Sequence, residues 1–133
     1  LVGAWVRKDG RLAGAAPAAH SHAHGHHADE ATAAVATTLT ADTPLDWRAF
    51  DLWLGREQRR LGERLLRVKG IVDVAGSAEP VVVHGVQSTA HVPVSLRQWP
   101  DADRRTRMVF ILTGDHEGEL RESWSAFLRE NGG

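Results

Sequence analysis

Hydrophobic and polar positions divide the chain into a featureless opening quarter and a patterned remainder. Val35, Thr37 and Leu39 alternate with Ala36, Thr38 and Thr40. A period of two in β-branched residues predicts a half-buried strand, because successive strand side chains point to opposite faces. Asp42-Thr43-Pro44 breaks it. Trp47, Phe50 and Leu54 then recur at helical spacing, with Trp53 widening the stripe, so a helix follows. Asp46 suits its N-cap, where a carboxylate accepts from a free first-turn amide. Leu45 and Phe50 are placed to staple that end, and Gly62 marks the other.

Three more strands are predicted, over Arg67–Ala75, Val81–Thr89 and Arg105–Thr113. Gly76-Ser77-Ala78-Glu79-Pro80 joins the first two as a hairpin loop, and Pro93–Asp103 leads to the third. Leu120, Trp124, Phe127 and Leu128 share one face of a last helix over Asp115–Glu130, stopped by Asn131-Gly132. The order β-α-β-β-β-α predicts an α+β fold: a four-stranded, largely antiparallel sheet with two helices on one face.

The strands are apolar on both sides. Met108, Phe110 and Leu112 oppose Val109 and Ile111, for example. Such strands are expected to be buried twice over. The helices cover one face. The other, assigned to Ile71, Val81, Val83, Val109 and Ile111, needs a second cover. A neighbouring domain or a second copy of the chain, forming a homodimer, is the expected one, with Leu1–Val6 supplying part. The loop Pro93–Asp103, plugged by Trp99, is the alternative.

Length and composition narrow the class. The 133 residues make one ordinary domain. Residues 1–34 read as a linker, because Ala13–Glu30 is Ala, Gly, Pro and His with too little to bury to offset its ordering entropy. The domain proper is then 35–133. The first residue is Leu, not Met, so the chain reads as a piece of a longer protein. A net charge of -1 counts against a nucleic-acid binder. The absence of cysteine excludes disulfides, thiolate nucleophiles and Cys-ligated metals. No apolar run could span a bilayer and no signal peptide opens the chain, so a cytoplasmic protein without a membrane role is expected.

Candidate chemistry concentrates in His20-Ser21-His22-Ala23-His24-Gly25-His26-His27, which holds five of the eight histidines. Imidazoles on small, unobstructed neighbours suit Zn, Co or Ni, and each bound ligand raises the local concentration of the next. His20, His22, His24, His26 and His27 are the predicted metal ligands, without preference among those ions. His84 falls in a strand, His91 just beyond it, and His116 between Asp115 and Glu117. A single strand histidine is more often a structural side chain than a ligand. No phosphate loop, Gly-x-Ser-x-Gly elbow or His-Glu-x-x-His occurs, so no catalytic residue is assigned. Two basic groups enter strands, Arg67-Val68-Lys69-Gly70 and Arg104-Arg105-Thr106-Arg107, either as solvated strand ends or as a docking surface for an acidic partner.

Arg67-Val68-Lys69-Gly70-Ile71 after an aromatic-rich helix, then Val83-His84-Gly85-Val86-Gln87, Trp99-Pro100 and Arg104-Arg105-Thr106-Arg107-Met108-Val109-Phe110-Ile111, resemble the C-terminal domain of CobW-type P-loop GTPases over about 35–130. Leu112-Thr113-Gly114 departs slightly from the family pattern, where Gly often follows the position of Ile111. The His-rich stretch is similar to the tract many such proteins carry ahead of this domain. The resemblance implies a parent that couples GTP hydrolysis to delivery of cobalt, zinc or iron to a client metalloprotein or to cobalamin synthesis. The family's phosphate loop and Cys-x-Cys-Cys motif belong to its GTPase domain and match nothing here, so this chain is expected neither to bind nor to hydrolyse GTP. Docking onto that GTPase domain or a client is its expected work, through Arg67, Lys69, Ile71, Val109 and Ile111. A structural interaction module with an incidental His tract is the rival reading.

Overall fold

A computed structural model describes residues 33–87 and 89–131. The strands are β1 (Ala34–Ala41), β2 (Leu65–Val72), β3 (Val81–Val86), β4 (Thr89–Ala90), β5 (Val94–Ser95) and β6 (Thr106–Thr113), and the helices are α1 (Trp47–Leu61) and α2 (Glu117–Asn131). The sheet is antiparallel in the order β1-β6-β2-β3-β4, with β5 also on β3. It therefore has six strands rather than the expected four. One of the extra two, β4, comes from the predicted strand Val81–Thr89, which does not run on; the other, β5, lies in the stretch read as the loop Pro93–Asp103 and pairs with the start of β3. The chain reverses after Val86, with Gln87 at φ 54°, and returns as β4.

α1 begins as its sequence dictates. The Asp46 carboxylate accepts from the Ala49 amide at 2.9 Å, and Leu45 and Phe50 on either side of the cap are fully buried. Leu45 also forms a short parallel bridge to Val74, which ties the helix entrance to the end of β2. At the far end Gly62 takes φ 54°, a conformation that costs glycine no Cβ clash.

Both helices pack on one face of the sheet. Phe50, Trp53, Leu54 and Leu61 of α1 meet Leu120, Trp124 and Phe127 of α2 over Leu39, Val68, Val72, Val83, Met108, Phe110 and Leu112. The Trp53 and Trp124 rings lie 4.9 Å apart, and Trp53 meets Phe110 edge-on at 6.1 Å. The indole N–H groups are both satisfied: Trp53 donates to Ser123 Oγ and Trp124 to the Thr40 carbonyl, each at 2.9 Å. Trp53 and Trp124 are thus core ballast with their polar ends tied down. Strand β2 lies so close to β6 that a Cβ on Gly70 would come within 2.6 Å of the Arg107 carbonyl, which is why a glycine stands in mid-strand.

The predicted division of the two faces needs one correction. Val81 and Val83 pack with the helix-covered core, and Val82 takes the opposite side. The register decides this: Val82 pairs with Ile71, whose side chain points away from the helices.

Candidate functional site

The face turned away from the helices is built of three rows that cross the sheet, each fixed by ladder register. The first is Thr40, Arg107, Ile71 and Val82, extended by Val94 of β5. The second is Thr38, Val109, Lys69 and His84. The third is Ala36, Ile111 and Arg67.

The first row is closed by the chain itself. Arg107 is 1% exposed, donates to the Asp103 carbonyl at 3.1 Å, and pairs with the carboxylates of Asp101 at 3.5 Å and Asp103 at 3.6 Å. These partners sit in the loop between β5 and β6, so a buried guanidinium fastens that loop across the row. Arg105 adds two bonds to the Asp103 carboxylate at 3.0 Å and, with other contacts, holds its pKa below the ordinary value near 3.8. Beneath, Ile71 and Val82 are buried, as is Val109 in the next row. The loop was the alternative cover foreseen for this face, and its fastener is Arg107, with Trp99 only half-buried.

Ile71 and Val109, two of the expected docking residues, therefore lie under the chain's own surface, each 2% exposed. Arg67 is exposed, while Lys69 and Ile111 are half-buried. Burial, with Arg67 alongside, lowers the Lys69 pKa. The second basic group separates from the first. Arg105 and Arg107 are committed to Asp103, and Arg104 alone of that group is exposed without belonging to a row.

At the end of the second row His84 meets His91. The His91 amide donates to the His84 carbonyl at 3.1 Å, which continues the β3–β4 ladder beyond Ala90, and the two imidazoles stand 4.1 Å apart at 36°. Burial, followed by His91, Lys69 and Arg67 as neighbouring charges, lowers the His84 pKa and leaves its ring neutral at pH 7. Both residues border a cavity of about 370 Å³ between α1 and the β3 edge, together with Trp47, Leu54, Gln58 and Val83. Gln58 is 5% exposed and its Nε2 has no hydrogen-bond partner. A Cβ on Gly85 would sit 2.8 Å from that nitrogen, so the strand carries glycine where the amide packs.

Sequence reasoning treated His84 and His91 singly and missed this pairing. The signal was present: the two flank the reversal at Gln87 within a few residues, but glutamine does not announce a turn as Asn-Gly would. His116 goes elsewhere, 3.4 Å from Glu119 on α2. Among the described residues no three His, Asp or Glu side chains cluster to hold a metal. His20, His22, His24, His26 and His27, the linker around them and Leu1–Val6 lie outside the described residues. No described helix is long and apolar enough to cross a membrane.

Comparison with known proteins bears on the same residues. The family model described as the cobalamin synthesis protein cobW C-terminal domain matches residues 34–128. No curated protein matches the chain. Two solved structures share the fold at 23% identity: a Zn(II)-bound triple mutant of the YjiA GTPase, with a TM-score of 0.64, and the Zn(II)-bound YjiA GTPase from E. coli, with 0.63. Each match covers 71% of this chain but only 29% of the other, so the chain spans less than a third of those proteins. With the family match running from the first strand into the last helix, the chain belongs to the CobW C-terminal domain family.

Proposed function

We propose that this chain is the accessory C-terminal domain of a CobW-like, GTP-dependent metal chaperone that works in the cytoplasm. Its part is to dock on the GTPase domain of the same parent, or on a metalloprotein client, while the His tract gathers divalent metal beside it. The observation that carries the reading is the family match over residues 34–128, joined to a tract of five histidines within eight residues upstream. The similar YjiA structures are of a Zn(II)-bound GTPase, which supports zinc as a first choice of metal. Cobalt and nickel suit the same imidazoles. Docking falls to the part of the sheet face that the loop leaves open, where Arg67, Lys69 and Ile111 reach the surface. The basic pair there favours an acidic partner surface.

Calorimetric zinc titration of the chain, with and without His20, His22, His24, His26 and His27 replaced by Ala, tests the tract. Several sites in the parent form and loss of most of the heat in the variant are expected. Unchanged heat would make the tract incidental and favour a purely structural interaction module. The chain has no phosphate loop, and no GTP binding or hydrolysis is expected of it. Micromolar GTP affinity would overturn that part.

A further inference from the structure

His84 and His91 occupy directly opposed positions of an antiparallel hairpin, held by the 3.1 Å ladder bond between them. Opposed residues project from the same face with their Cβ atoms about 5 Å apart. Their rings already stand 4.1 Å apart. Rotation about the side-chain torsions alone can therefore turn one nitrogen of each toward a common point, with no backbone movement. Zinc needs imidazole nitrogens at about 2.0–2.1 Å. Two ligands anchored on one ladder rung also bind in concert, because the first contact fixes the ion beside the second.

We propose that His84 and His91 form a two-histidine site for a borderline divalent cation such as Zn(II) or Ni(II), with water completing the coordination shell. The site is separate from the His tract and does not depend on the metal-gathering role proposed for it. The surroundings set its selectivity. Lys69 of β2 stands beside His84 in the β2–β3 ladder, Arg67 lies nearby on the same strand, and Asp51 and Arg59 border the adjoining cavity. Among the described residues no carboxylate joins the pair to make a third ligand. Hard cations that want several oxygen donors, such as Mg(II) and Ca(II), are thereby excluded, whereas cations that take imidazole are not. The flanking cations and the count of two ligands make the site weaker than a structural zinc centre, and so suited to exchange.

The test uses the whole 133-residue chain with His20, His22, His24, His26 and His27 replaced by Ala, so that the tract contributes nothing. Zn(II) and Mg(II) are titrated while the imidazole resonances of His84, His91 and His116 are followed by NMR. The expected result is one equivalent of zinc that shifts His84 and His91 together, leaves His116 in place, and is not mimicked by magnesium. His84→Gln and His91→Gln should each abolish the shift at the remaining ring, with the amide spectrum showing that the fold persists. No response at millimolar zinc, or a response that survives both Gln variants, would overturn the proposal. Neither result bears on the tract, whose own test is the heat lost when its five histidines are removed.

Discussion

The two faces of the sheet solve the same problem by different means. Under the helices, apolar side chains meet apolar side chains, and several of the few polar atoms are met locally, as where Trp53 reaches Ser123 and Ser123 in turn donates to the buried Glu57 carboxylate at 2.9 Å, while Thr37 Oγ1 and Gln58 Nε2 go without a hydrogen-bond partner. Under the loop, only one row is sealed, and the seal is an ion pair: Arg107 against Asp101 and Asp103. Hydrophobic burial is non-directional and tolerates small movement. A buried guanidinium is directional and costs several kcal/mol of desolvation that only its partners offset. The first face is the stable base of the domain. The second is conditional, and its unsealed rows are where the domain can meet other molecules.

Neighbouring residues of β6 put this contrast to its hardest test. Leu112 is fully buried under the helices, while Ile111 next to it points to the half-open face. Leu112→Ala should cost about 2–5 kcal/mol, because it removes transfer energy and leaves a cavity in a packed core. Ile111→Ala should cost about 1 kcal/mol or less, since its side chain is already part-solvated. Urea unfolding of both variants measures the difference. Equal losses would mean that the second face is as firmly packed as the first.

The ion-pair seal should respond to acid. Asp103 has its pKa lowered in the folded chain by hydrogen bonds from Arg105 and by the charges of Arg107 and Arg105. A carboxyl group lowered on folding binds fewer protons folded than unfolded, so stability grows with pH through that range. Its contribution is complete above the ordinary value near 3.8 and is lost as pH falls from there through the lower folded value. Asp103→Asn should flatten the acid limb of the stability curve below pH 4 and leave neutral-pH folding cooperative. An unchanged acid limb in that variant would show that the seal does not depend on the charge of Asp103.

How much of this was legible in the residues follows from which forces are local. Asp46, Leu45 and Gly62 announced the first helix because capping and stapling act within a turn of chain. The core stripes of α1, α2 and β6 were legible from periodicity. The reversal at Gln87 was not, since Val81–Thr89 reads as one β-branched run and the turn is decided by pairing with β2. That single miss hid both β4 and the meeting of His84 with His91. The alternation also misassigned Val81 and Val83, because a pattern apolar on both sides does not say which side meets the helices. Arg107 was read as part of a basic patch, whereas its carboxylate partners, though only four and six residues upstream, act on it through a folded loop. Of the residues expected to dock, Arg67 is exposed and equally charged Lys69 half-buried, and nothing in the sequence distinguished buried Ile71 and Val109 from half-buried Ile111.

The smallest effect on stability should accompany the largest effect on partnership. Arg67 is exposed at the end of the third row, beside Lys69 and next to Ile111 by register. An exposed side chain outside any cap, turn or core changes folding stability by no more than about 0.5 kcal/mol when replaced. Arg67→Glu should therefore unfold in urea at nearly the same midpoint as the parent chain. Its charge reversal acts instead on encounter, since a rim cation steers an acidic surface into register and raises the association rate. If the open rows dock on the GTPase domain proposed as the partner, association measured by surface plasmon resonance should weaken with added salt for the parent chain. Screening over about 10 Å at 0.1 M salt makes that dependence visible in ordinary buffers. Arg67→Glu should slow association and lose most of that salt dependence, while Arg104→Glu, which belongs to no row, should do neither. Matching slopes for parent and Arg67→Glu would move the docking surface off this face and leave the sheet's second side a structural seal alone.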